Sequence, residues 1–122
     1  MARILLAEDE AATRDLVRRA LEADGHSVEV TDGGADALER LEAGRDQFQL
    51  LISDVNMPGM DGFELANKAR AFKPGLVVVF MSGLVEHLER AKSLGDAKYF
   101  TLSKPFSLEQ VKATVRAALE GS

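Results

Sequence analysis

The chain has 122 residues, a formal net charge of −5 and no cysteine. That length suits one domain rather than two, and the missing thiols exclude disulfides and thiolate metal sites. An acidic balance argues against a DNA partner, since phosphate binding needs clustered Lys and Arg, and the longest apolar run, Leu76 to Met81, is far too short for a membrane span.

Taken in order, Met1-Ala2-Arg3 runs straight into the apolar stretch Ile4-Leu5-Leu6-Ala7, so no signal peptide is expected and the cytoplasm is the expected location. Glu8-Asp9-Glu10 ends that strand. Leu16, Val17, Ala20 and Leu21 then recur at helical spacing until Asp24-Gly25, where glycine marks a stop. Val28-Glu29-Val30 alternates like a strand near a sheet edge, and Gly33-Gly34 opens a helix expected to face inward through Ala35, Leu38 and Leu41. Leu50-Leu51-Ile52-Ser53-Asp54 is apolar without alternation, which reads as a strand covered on both faces in a parallel sheet. Pro58-Gly59 and Asp61-Gly62 turn the chain into a third helix, carrying Phe63, Ala66 and Ala69, that must stop before Pro74.

Leu76 to Met81 is the most strand-like run of all and closes on Ser82-Gly83. The helix after it, with Leu84, Leu88 and Ala91 as its face, has the weakest apolar stripe of the five. Tyr99-Phe100-Thr101-Leu102 reads as the fifth strand and ends in Ser103-Lys104-Pro105. Ser107 is placed to cap a last helix with the stripe Leu108, Val111, Val115, Ala118 and Leu119. Five strands alternating with five helices imply right-handed βαβ units and an α/β doubly wound parallel sheet.

In such sheets ligands collect at the carboxyl ends of strands. Glu8 and Asp9 stand after the first strand, Asp54 ends the third, Ser82 the fourth, and Lys104 follows the fifth. Each has an ordinary structural role when taken alone: acids at a helix N-terminus, turn formers, a solvated loop lysine. Together they make a chemical set. Three converging carboxylates repel unless a cation sits among them, and an all-oxygen site with no Cys or His prefers Mg²⁺. A carboxylate beside that ion is a competent nucleophile toward phosphorus. Lys104 offers a point charge and Ser82 a neutral donor for phosphoryl oxygens. His26 and His87 fall at expected surface positions and are read as neither catalysts nor ligands.

Four stretches, Leu5-Leu6-Ala7-Glu8-Asp9, Asp54-Val55-Asn56-Met57-Pro58-Gly59-Met60-Asp61-Gly62, Met81-Ser82-Gly83 and Ser103-Lys104-Pro105-Phe106, resemble the receiver domains of two-component response regulators, the CheY-like group. The resemblance runs over the whole chain and implies a flavodoxin-like (βα)5 sheet in the order 2-1-3-4-5. It implies Asp54 as phosphoacceptor, Mg²⁺ held by Glu8, Asp9, Asp54 and the backbone carbonyl of Asn56, and Ser82 and Lys104 as partners of the phosphoryl group. It also implies a histidine kinase or histidine phosphotransferase as donor. Residues 1–122 then make a single receiver domain with no output domain, a signalling module rather than an enzyme, acting as a monomer or weak dimer through a downstream protein target. The Ala97 to Phe106 region resembles the CpdR type of stand-alone receiver, which regulates delivery of substrates to a protease.

Two departures stand out. Thr101 occupies the place three before Lys104 where the family usually has an aromatic, with Tyr99 and Phe100 out of that register. The Gly95 to Lys104 interval is also long, so the fourth helix and its following loop are expected to be irregular. Two other readings remain open. A haloacid-dehalogenase-like phosphatase shares the Asp nucleophile and Mg²⁺, but wants Asp-x-Asp after the first strand; a degenerate receiver would never take phosphate.

Overall fold

Apolar sequence without alternation becomes the middle of a sheet, because only there are both faces of a strand covered. The computed structural model describes residues 1–44 and 47–120. Its strands are β1 (Arg3–Ala7), β2 (Ser27–Thr31), β3 (Leu50–Asp54), β4 (Val77–Ser82) and β5 (Tyr99–Ser103). All neighbouring pairs are parallel, in the order β2-β1-β3-β4-β5. Every residue of β3 and β4 is buried, whereas the edge strands β2 and β5 are mostly half-exposed. The expected flavodoxin-like arrangement is the one observed.

The helices α1 (Ala11–Ala23), α2 (Gly34–Ala43), α3 (Gly62–Phe72), α4 (Val85–Ser93) and α5 (Leu108–Glu120) cover both faces. One core layer joins Val17, Ala20 and Leu21 of α1 and Val111, Val115 and Ala118 of α5 to Ile4, Leu6, Ile52 and Val79. The other joins α2, α3 and α4 to Leu5, Leu51, Val78 and Phe80. The chain leaves β1 in one direction through α1 to β2, then returns across it to β3. The carboxyl ends of β1 and β3 therefore flank the point where the winding reverses, the usual ligand crevice of such sheets.

Three local expectations change. In α2 Leu41 is buried and Leu38 packs half-buried against the core as expected, but Ala35 is exposed and Gly34 and Ala37 complete the inward face. In α4 only Ala91 is buried, and Leu84, which precedes the helix, is half-exposed. The helix is nevertheless regular. The extra length before β5 is taken up around Asp96, whose carboxylate accepts from the Lys98 amide at 2.8 Å and whose carbonyl accepts from the Tyr99 amide at 3.1 Å. Arg70 of α3 donates to the same carboxylate at 2.6 Å, tying that loop to the neighbouring helix.

Candidate functional site

The first strand delivers Glu8 into a dry position. The Glu8 amide extends the β1–β2 pairing by donating to the Thr31 carbonyl at 3.2 Å, and its side chain is fully buried. Glu8 Oε2 accepts from the Glu10 amide at 3.1 Å, and Arg14 donates to the Glu8 carbonyl at 3.0 Å. Asp9, the next residue, is exposed. Asp54 ends β3 at 6% exposure, opposite Met81 of β4.

The loop after Asp54 is held close by glycine. The Gly62 amide donates to the Val55 carbonyl at 2.9 Å, and a Cβ at Gly62 would lie 2.5 Å from the Asp54 carbonyl oxygen. Only a residue without a side chain lets α3 start this near the strand end. Gly59 adopts φ +76°, the left-handed turn that precedes it. Asp61 then caps α3, accepting from the Glu64 amide at 2.8 Å. Thus Pro58-Gly59-Met60-Asp61-Gly62 folds the loop back against the Asp54 backbone, and Asn56 lies exposed two residues past Asp54.

Lys104 reaches the same place from β5. Its amide donates to the Ser82 carbonyl at 2.8 Å, which fixes the backbone against β4. Its Nζ lies 3.0 Å from Glu8 Oε1 and 3.3 Å from Asp54 Oδ2, so one ammonium bridges two carboxylates far apart in sequence. Burial alone would lower the Lys104 pKa, but the hydrogen bond and charge of Glu8, with the charge of Asp54, outweigh it and hold the ammonium above its ordinary value. Burial pushes the Glu8 carboxyl up, and the nearby Asp54 adds to this; the Glu10 amide and Lys104 only partly oppose it. Three carboxylates thus face one ammonium.

Glu8, Asp9 and Asp54 each present a carboxylate oxygen within 4.8 Å of the others. An all-oxygen set of this kind fits a hard divalent cation such as Mg²⁺. The fold thus brings together Glu8, Asp9, Asp54 and Lys104 as the strand-end positions suggested. Ser82, 3% exposed, ends the neighbouring strand with its side chain turned to another partner. Its Oγ accepts from the Leu84 amide at 3.0 Å and lies 2.8 Å from Nδ1 of His87.

His87 is therefore no mere surface residue. It is half-buried in the first turn of α4, and nothing in a five-residue separation across a strand-to-helix turn announces the contact. His26 is also half-buried, at the opposite end of the sheet, where its Nδ1 accepts from the Ala2 amide at 3.1 Å and burial lowers its pKa. Thr101 pairs with Phe80 across β4–β5, and Tyr99 lies one pleat earlier on the same face. The Tyr99 ring meets Phe80 edge-on at 5.1 Å, and Phe80 meets Phe63 at 4.8 Å. Aromatic surface absent at position 101 is thus present beside it.

Residues 4–116 match the family model of the response regulator receiver domain. The response regulator receiver protein CpdR of Brucella abortus is 40% identical over 111 residues, 91% of this chain and 91% of that protein. The sensor kinase CckA of the same organism is 40% identical over 119 residues, but the chain spans only 13% of that protein's length. The chemotaxis response regulator CheY4 of Vibrio cholerae superposes with a TM-score of 0.85 at 30% identity, covering 97% of this chain and 98% of that one.

Proposed function

The chain belongs to the response regulator receiver family and has that family's role as a phosphorylation switch in two-component signalling, and from this premise we propose that Asp54 is its phosphoacceptor. The observation that carries the assignment is the Lys104 ammonium set between Glu8 and Asp54, at 3.0 and 3.3 Å, in a cluster of three carboxylates. Glu8, Asp9, Asp54 and the Asn56 carbonyl would hold Mg²⁺, which supplies charge neutralisation for the incoming phosphoryl oxygens.

An Asp54 carboxylate oxygen attacks phosphorus in line. The bond from phosphorus to the donor breaks, and its electron pair leaves with the donor's imidazole, or with the carboxylate of a small acyl phosphate. Lys104 exchanges its contact with Asp54 Oδ2 for a phosphoryl oxygen, and its raised pKa keeps it charged for that purpose. Ser82 offers its hydroxyl to a second oxygen. Hydrolysis reverses the charge change: water attacks phosphorus, and the Asp54 carboxylate leaves with the electron pair. The module promotes these two steps on itself and acts on no other substrate.

The donor is a histidine kinase or histidine phosphotransfer protein, and the output is an altered protein contact. Similarity to CpdR along nearly its whole length supports a receiver of that type, and protease delivery machinery in the cytoplasm is its proposed downstream target. Among the described residues no helix is long and apolar enough to cross a membrane.

Intact mass after incubation with acetyl phosphate tests the assignment. One adduct per chain is expected with Mg²⁺, none in excess chelator and none in Asp54→Ala. An undiminished adduct in that variant would refute Asp54 as the acceptor. Continuous turnover of an added phosphoester would favour the phosphatase alternative instead.

A further inference from the structure

A serine hydroxyl has one proton and two lone pairs. In Ser82 the Leu84 amide takes one lone pair at 3.0 Å, and Nδ1 of His87 stands 2.8 Å from the same oxygen. Ser82 is 3% exposed, so these groups stand where water otherwise would. The charged oxygens of a phosphoryl group only accept, so the Ser82 proton is what they need. With the imidazole proton on Nε2, Nδ1 needs that same proton.

We propose that His87 is a positioning residue for the phosphoryl site: it competes with a phosphoryl group on Asp54 for the Ser82 proton, and so couples the state of Asp54 to the seating of α4. The inference rests on Asp54 being the phosphoacceptor. When the phosphoryl oxygen takes the Ser82 proton, Nδ1 loses its donor. The imidazole must then carry its own proton on Nδ1 and donate to Ser82 Oγ, or turn away.

Either response is felt by α4. His87 sits in its first turn, and its ring meets Phe63 of α3 edge-on at 6.3 Å. Phe63 is in turn covered by the Arg90 guanidinium, 4.1 Å from the ring centroid, and leans on Phe80. Ala91 is the one buried residue recorded in α4, so polar and ring contacts of this kind make up much of its attachment. A cleft of about 500 Å³, bordered by Phe63, Arg90, Leu94 and Tyr99, opens beside Phe63, the ring against which His87 packs. Thr101 has no ring to follow Ser82, whereas His87 already touches it.

The test uses the full chain with ¹⁵N-labelled histidine, Mg²⁺ and beryllofluoride, a phosphoryl mimic. In the wild type the Nδ1 resonance is expected at the position of an unprotonated acceptor, and it should shift when beryllofluoride binds. His87→Ala should bind beryllofluoride about two- to tenfold tighter, the fold-change expected when one ordinary hydrogen bond no longer competes. His87→Gln, which keeps an acceptor, should return toward wild-type affinity. In a Ser82→Ala background His87→Ala should change nothing. A structural histidine would show no shift at Nδ1, and its removal would weaken binding equally with and without Ser82; that pattern overturns the proposal. If wild type binds no beryllofluoride, the Asp54 assignment fails and takes this inference with it. If Asp54→Ala alone abolishes binding while both His87 variants match wild type, only the inference fails.

Discussion

At the scale of single residues, the site stores unfavourable charge. Glu8 is fully buried with a raised pKa, so its neutral form is favoured by folding. The sign follows: its contribution is present below the ordinary value of 4.5 and is lost as pH rises through the higher folded value. The stabilisation conferred by Mg²⁺ should therefore grow as pH rises above 4.5, since the ion needs the ionised carboxylate. Thermal melts with and without Mg²⁺ at several pH values check this; a constant increment would remove Glu8 from the ligand set. Asp9 contributes repulsion from an exposed position, where water screens it. Asp9→Asn should accordingly stabilise the metal-free protein by about 1 kcal/mol at most while weakening Mg²⁺ binding. If instead the variant melts lower with Mg²⁺ affinity intact, Asp9 serves the start of α1 rather than the ion.

Among the elements, α3 and α4 are attached in opposite ways. The start of α3 is fastened by the Asp61 cap and by Gly62 against the Asp54 carbonyl, and five of its residues are buried. Asp61→Ala should cost about 1 kcal/mol by urea denaturation. Gly62→Ala should do more harm to phosphorylation than to folding, because its Cβ meets the backbone of Asp54, the proposed acceptor. The adduct yield with acetyl phosphate, set against the urea midpoint, separates the two effects. By contrast α4 has a single buried alanine and a hydrogen bond from its first turn to Ser82. Ser82→Ala should leave Asp54 modifiable but abolish the response of α4 to it, whereas Thr101→Val removes a hydroxyl at nearly constant volume and should change little. Backbone amide shifts with and without beryllofluoride read both variants. Normal shifts across residues 83 to 95 in Ser82→Ala would send the signal by another route.

For the molecule as a whole, burial is concentrated in the central strands and thin in α4. The central strands are buried on both faces, so Leu51→Ala should cost about 3 kcal/mol, measured as a fall in urea midpoint. Leu84, 49% exposed at the mouth of α4, should tolerate Leu84→Ser within about 0.5 kcal/mol. A large loss there would mean that the resting position of α4 depends on burial that the fold does not display. On the proposed reading, a buried sheet beside a helix with one buried residue lets the site keep its geometry while a neighbour changes place.

What the sequence determined by itself was periodicity and punctuation. Unbroken apolar runs identified β3 and β4 as central, and Asp54, Glu8 and Lys104 could be assigned to one edge because each ends or follows a strand. The reason is local: strand, turn and helix signals act over a few residues, and parallel winding then puts all strand ends on the same side. Local signals also misjudged details, the buried face of the weak α4 among them. Ala35 turned outward where Gly34 and Ala37 take the inward face of α2, and the length of the β5 approach was absorbed by an Asp96 turn that Arg70 pins from α3, leaving α4 regular. Only the tertiary structure decided that Lys104 lies between two acids, that Tyr99 fills the face left bare at Thr101, and that His87 holds Ser82. Those pairings depend on ångström-scale distances between side chains on separate elements, which crossovers and packing set and which no spacing along the chain encodes.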